Sequence, residues 1–225
     1  YIGRRRTTVQ NFEEAMERLF ADLYPLFPHI GMESVSGRGI TNAVINGFVA
    51  NTTKTLPDSD QSVDSRFIRD GMPAMGLVNM KPHAGGQIAS LTIPEVAHPA
   101  YDIWREVVDS LSKENKPIKS LYDTLTSPPY GLPDFLVEVY VSTCLALKKS
   151  AVIDLKTKRV ETSPSADLAR LITKEKDTRF KVIPPGESVE ALRNFIISVW
   201  ETAEKAVGLR SYRDIDAKAL DDQAF

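Results

Sequence analysis

The apolar positions of the chain change period several times, and each change predicts an element. Over Asn11–Phe27 the residues Phe12, Met16, Leu19, Phe20, Leu23 and Leu26 recur at helical spacing, with Glu13, Glu14, Glu17 and Asp22 between them. This predicts an amphipathic helix closed by Pro25 and Pro28. A second helix is expected over Thr41–Val49, with Ile40, Val44, Ile45 and Phe48 on one side. The polar, breaker-rich stretch Asn51–Asp64 reads as a loop. Over Ser65–Met80, Phe67, Ile68, Met72, Met75 and Leu77 could line a short helix that Gly71 and Pro73 interrupt. The period then drops to two: Gln87–Ile93, between Gly85-Gly86 and Pro94, predicts a strand.

Helical spacing returns over Pro99–Ser112, through Tyr101, Ile103, Trp104, Val107, Val108 and Leu111. Pro117 restarts the chain at the head of a short helix, Ile118–Thr126. The breaker Ser127-Pro128-Pro129-Tyr130-Gly131 precedes a long apolar helix over Pro133–Leu147. Two β-rich runs, Ala151–Leu155 and Arg159–Thr162, flank Lys156-Thr157-Lys158 and predict a hairpin. Further on, the pattern gives a helix from Ser163 to Ile172, a strand over Phe180–Ile183, a long amphipathic helix over Val189–Val207 and a charged tail.

These elements predict a mainly α fold with small β-hairpins, of the α+β class. Three parts are expected: a helical N-terminal part over 1–95 with one or two strands, a winged-helix-like unit over 96–185, and a C-terminal helix and tail over 186–225. The middle part carries the most content. Helix, short helix, tight turn, long helix and β-hairpin is the order of a helix-turn-helix pair followed by a wing.

Whether such a unit reads DNA depends on the long helix. A recognition helix presents Arg, Lys, Asn or Gln to base edges. Here the helix start offers Asp134 and Glu138, the rest is almost wholly apolar, and Lys148 and Lys149 come at the end. Two carboxylates repel a phosphate-lined groove, so a buried organising helix is the favoured reading. Candidate nucleic-acid contacts lie elsewhere, at Arg4, Arg5 and Arg6 and at the wing lysines Lys156 and Lys158. The plainer reading of both is a solvated surface or a contact to a neighbouring domain.

Composition narrows the classes. Hydrophobic content of 42% with 26% charged residues supports a buried core, and a net charge of -2 opposes a dedicated nucleic-acid binder. A lone cysteine, Cys144, excludes an internal disulfide framework and fits a reducing, cytoplasmic setting. No apolar run approaches the ~20 residues that span a bilayer. The chain opens on Tyr1 rather than Met, which suggests a piece cut from a larger protein.

Catalytic patterns are weak. The sequence holds no G-x-x-x-x-G-K-[ST] run for a nucleoside triphosphate. Gly37-Arg38-Gly39 is a lone G-x-G without a preceding strand. His29, His83 and His98 are isolated, so no metal is expected. Cys144 reads as core rather than nucleophile, and Asp221-Asp222 would point apart on a helix. No catalytic residue and no cofactor is therefore assigned.

From Ile103 to Ile183 the sequence resembles a segment of large prokaryotic P-loop ATPases, those of the BREX type of anti-phage defence system and their uncharacterised relatives. The landmarks are Trp104, Leu121, Leu125, the string Pro128-Pro129-Tyr130-Gly131-Leu132, the run Ala151–Leu155, and Phe180. The first 95 residues are similar only loosely to the region that joins the nucleotide-binding core to this unit. One departure stands out: Leu132-Pro133-Asp134 replaces a basic or tryptophan-containing helix start. The resemblance implies a regulatory or scaffolding module beside an ATPase core that lies outside these residues. It supplies no catalytic residue here. Pro128, Pro129, Tyr130 and Gly131 read as a structural turn, with an aromatic ring on the helix pair and a permissive glycine backbone.

Three functions follow, in order of preference. The first is a non-catalytic interaction module that contacts other domains or subunits of a larger protein. The second is a nucleic-acid-binding winged helix. The third is a small-molecule binder or enzyme with a site around Tyr130, His83 and Arg105.

Overall fold

The computed structural model describes residues 12–28, 30, 38–112, 118–148, 151–154, 160–161 and 180–183. Chain contacts divide the protein into Tyr1–Pro185 and Gly186–Phe225, and the second unit lies wholly outside the described residues. So do the helices expected over Ser163–Ile172 and Val189–Val207.

The described elements are α1 (Phe12–Leu23), α2 (Arg38–Gly47), a 3₁₀ turn (Val49–Asn51), β1 (Thr53–Pro57), α3 (Val63–Arg66), a π-turn (Phe67–Gly71), α4 (Met72–Ala74), β2 (Val78–His83) and β3 (Gly86–Leu91). Then come α5 (Tyr101–Ser112), α6 (Ile118–Thr126), α7 (Asp134–Lys148), β4 (Ala151–Asp154), β5 (Val160–Glu161) and β6 (Phe180–Ile183). The fold is α+β, with two three-stranded antiparallel sheets ordered β1-β3-β2 and β5-β4-β6.

Two expectations in the first half are corrected. Part of the stretch read as a loop, Asn51–Asp64, is β1, which pairs with β3 from Thr53↔Ser90 to Pro57↔Gly86. Its outward residues Thr53 and Thr55 are polar, and Leu56 alone along the strand is buried, so apolar alternation is missing. The end of the region read as helix, Val78–Met80, belongs to β2, an edge strand carrying Lys81 and Pro82. Pro at a sheet edge removes no ladder bond. The sheet is thus three-stranded where one or two strands were expected.

Gly71 and Pro73 do not stop the preceding helix. The turn widens to a π-turn at Phe67–Gly71, which makes room for a proline that has no N–H to give. The helix ends at Gly76, whose φ of +70° is the left-handed conformation that glycine tolerates. Gly76 N–H donates to the Pro73 carbonyl at 2.9 Å and Leu77 N–H to the Met72 carbonyl at 3.0 Å. This pair of bonds is a Schellman motif, and its accompanying apolar contact comes from the buried Leu77 and Met72. The motif turns the chain from α4 directly into β2.

In the second half the periodicity places the elements well. In α5 Ile103, Trp104 and Val107 are buried, and in α6 Ile118, Leu121, Tyr122 and Leu125. Between them and α2 lies α7, in which the eleven consecutive residues Leu136 to Ala146 are all buried. Helices α2, α5 and α6 and the 3₁₀ turn all contact α7. The core includes Val44, Phe48, Phe67, Ile68, Met72 and Leu77 from before residue 95 and Trp104, Leu121, Leu136 and Tyr140 from after it. Tyr140 spans the two sets directly: its buried hydroxyl donates to the Met75 carbonyl at 3.1 Å. The hairpin β4–β5 forms with Val152 opposite Glu161, and β6 pairs along the other edge of β4.

The loop from β1 to α3 is held by Asp60. Its carboxylate accepts from Ser65 Oγ at 2.6 Å and from the Ser62 N–H at 3.0 Å. Arg69 donates to the carbonyls of Pro57 and Asp60 at 3.3 Å each. The hydrogen bonds from Ser65, first, and Ser62 hold the Asp60 carboxyl at about 2 against an ordinary 3.8. A depressed carboxylate contributes stability above its ordinary pKa and loses it as pH falls through the folded value. Titration of the Asp60 carboxyl by NMR should therefore show a midpoint near 2, well under 3.8. Asp60→Asn should lower the melting temperature at about pH 7, and the deficit should shrink as pH drops from 3.8 toward 2. An Asp60 midpoint at 3.8 would contradict this assignment.

Candidate interaction surface

The turn between α6 and α7 is built from the backbone outward. Tyr130 N–H and Gly131 N–H donate to the Ser127 carbonyl at 3.0 and 3.1 Å, and Leu132 N–H to the Leu125 carbonyl at 2.8 Å. The last bond ties the end of α6 to the approach of α7. The Pro128–Pro129 bond is cis, and Gly131 adopts a φ of +66°. Pro128 and Pro129 are exposed, Tyr130 is half-buried against the core, and Leu132 is buried.

This turn also holds the N-terminal segment. Leu26 N–H donates to the Pro129 carbonyl at 3.2 Å. The Tyr24 ring lies against Gly131 so closely that a Cβ there would collide with it. Phe20 packs on Tyr24 at a centroid distance of 4.8 Å and edge-on to Phe27 at 5.2 Å, within the range of favourable ring pairs. Phe27 in turn packs against the core. The chain leaving α1 is thus clasped by the Pro-Pro-Tyr-Gly turn.

The rest of α1 is not enclosed. Phe12 is 79% exposed, Met16 47%, Phe20 44% and Leu23 45%. At positions 12, 16, 20 and 23 they form one continuous stripe on the helix. Large side chains left in water along one stripe mark a contact surface more often than an ordinary monomer surface. On the neighbouring surface, Tyr130 sits near α5. Burial raises its hydroxyl pKa, the charges of Glu106 and Asp102 raise it further, and Arg105 opposes them. Arg105 also lies 3.5 Å from Asp102, and both are largely exposed.

The residues singled out from sequence fall as follows. Pro128, Pro129, Tyr130 and Gly131 make the turn between α6 and α7. Arg4, Arg5, Arg6, Lys156 and Lys158 lie outside the described residues, as do His29, Gly37 and Asp221-Asp222. Of the trio Tyr130, His83 and Arg105, Tyr130 and Arg105 are electrostatic neighbours. His83 stands at the end of β2 opposite Gly86, exposed. His98 precedes α5, its Nδ1 accepting from the Ala100 N–H at 3.1 Å. Cys144 is fully buried, and burial pushes its thiol up to about 11, so no thiolate forms near neutral pH.

Tyr24 escaped the sequence reading. Its only signal was an aromatic ring one residue before Pro25 at a helix end. Its partner, Gly131, lies far along the chain. Among the described residues no group of three or more His, Cys, Asp or Glu side chains is placed to hold a metal ion. No helix among them is long and apolar enough to cross a membrane. No family model, curated protein or solved structure matches the chain.

The clasp makes a quantitative prediction. Gly131→Ala should cost about 1–2 kcal/mol for the left-handed backbone, plus the cost of displacing Tyr24. In a Tyr24→Ala background the second part vanishes, so Gly131→Ala should cost only the backbone term. Urea melts of the four proteins in that cycle check this. Equal costs in both backgrounds would show that Tyr24 does not rest on Gly131.

Proposed function

We propose that this chain is a non-catalytic interaction module in which a winged-helix-like unit serves as scaffold. The order α5, α6, turn, α7 and β4–β5 hairpin supports the winged-helix-like reading. The observation that carries the functional reading is the burial of α7 from Leu136 to Ala146. That helix occupies the position of a recognition helix, yet a groove reader needs a solvent-facing row of polar side chains. Here Glu138 is buried, along with every residue around it in the helix. The helix organises a core, and contact with partners falls to other surfaces, α1 foremost.

The resemblance of Ile103–Ile183 to BREX-type P-loop ATPases supports a place for the module beside an ATPase core, in a larger protein of anti-phage defence. In that setting the module regulates or positions the ATPase and takes no part in nucleotide chemistry itself. Its partners are other domains or subunits of that protein.

Fluorescence anisotropy with labelled double- and single-stranded DNA, at about 50 and 200 mM salt, separates this reading from its nucleic-acid rival. We expect no saturable binding at the lower salt. Micromolar binding that collapses at the higher salt would overturn the reading, and would point to Arg4–Arg6, Lys156 and Lys158 as the contacts.

A further inference from the structure

Between β3 and α5 the chain runs through Thr92–Ala100, and one side chain ties that segment to what lies on either side of it. His98 Nδ1 accepts from the Ala100 N–H at 3.1 Å. The backbone around it is closed: the His98 N–H donates to the Glu95 carbonyl at 2.8 Å, and the His98 carbonyl accepts from the Tyr101 N–H at 2.9 Å. The ring lies over Gly76, where a Cβ would come within 2.9 Å of both Nδ1 and the Pro94 side chain. Gly76 is the left-handed residue at which the chain turns from α4 into β2, so the half-buried imidazole stands between that corner and the head of α5. The Thr92 N–H reaches the same corner, donating to the Leu77 carbonyl at 3.0 Å.

An Nδ1 that accepts a hydrogen bond belongs to a neutral ring with its proton on Nε2. An imidazolium carries a proton on both nitrogens, and its Nδ1–H would face the Ala100 N–H, donor against donor. Whether the charged ring turns or withdraws, it gives up the Ala100 bond. Histidine is the side chain whose charge ordinarily changes between about pH 5 and 8. The charged groups on the elements around it are Glu95 on its own segment and Asp102, Arg105, Glu106 and Asp109 on α5. The corner from Met72 to Met80 carries none.

We propose that His98 is a pH-sensitive joint between the α4–β2 corner and α5. Neutral, it closes the segment onto the corner; protonated, it releases Ala100 and loosens the first turn of α5, whose Tyr101 N–H rests on the His98 carbonyl. Asp102 lies in that first turn and is one of the acids beside Tyr130, so the opening reshapes the exposed surface next to the Pro-Pro-Tyr-Gly turn.

Amide exchange followed by NMR on the full chain, corrected for the intrinsic pH dependence of exchange, reads the joint at Ala100 and Tyr101. Between about pH 7.5 and about pH 5.5, protection at these amides should fall at least about tenfold, through the lost bond and the facing donors. His98→Asn keeps a side-chain acceptor without a titrating ring, so its protection should stay level over that range. His98→Ala should be as open at the higher pH as the parent is at the lower. His83→Asn, at the exposed end of β2, should leave the parent's response unchanged. Level protection in the parent would overturn the proposal, and that readout needs no variant. So would a fall in His98→Asn equal to the parent's, or a response that His83→Asn abolishes, since either would assign the titration to another group.

Discussion

The structure depends on one constraint: a helix without a polar face must be enclosed. Through Leu136–Ala146 every residue of α7 is buried, Glu138, Ser142 and Thr143 included. A helix that is apolar all round becomes the centre of a core, and its neighbours must bring apolar stripes to it. Helices α5 and α6 do so from one side and α2 with the 3₁₀ turn from another. The Tyr140 hydroxyl then fixes the corner where α4 passes into β2, because a buried phenol needs an acceptor and the Met75 carbonyl is there. The first sheet is thereby tied to the same centre as the helix pair.

The Pro-Pro-Tyr-Gly turn links that core to the surface. Its backbone joins α6 to α7, its Pro129 carbonyl and Gly131 face receive Leu26 and Tyr24, and its Tyr130 packs inward. A single turn therefore sets the register of the core helices and positions the exit of α1. The apolar stripe of α1, Phe12, Met16, Phe20 and Leu23, is left outside the core.

Much of this was legible in the sequence, and the failures have physical reasons. The boundaries of α5, α6 and α7 followed from period and breakers, since Pro117, Ser127–Gly131 and Pro133 punctuate long apolar patterns. Strands β1 and β2 were illegible because both lie at sheet edges. Each shows the core little apolar surface, and Thr53, Thr55, Lys81 and Pro82 read as loop when taken alone. The π-turn at Phe67–Gly71 was read as a break, because sequence shows that proline lacks a donor but not that the helix can widen around it. For α1 the amphipathic pattern was plain. Pattern alone says that a helix has an apolar face, not whether this chain covers it. The Tyr24–Gly131 contact joins residues far apart in sequence, and neither spacing nor composition signals it.

Amide hydrogen exchange followed by mass spectrometry, resolved to individual helices, tests the central assignment most directly. If α7 is the enclosed centre, its amides from Leu136 to Ala146 open only with the whole fold, while α1 opens locally. The account predicts that α7 exchanges at least about a thousandfold more slowly than α1, a ratio equivalent to about 4 kcal/mol of opening free energy. Comparable rates in the two helices would contradict it, because α7 would then not be the element on which the rest is built.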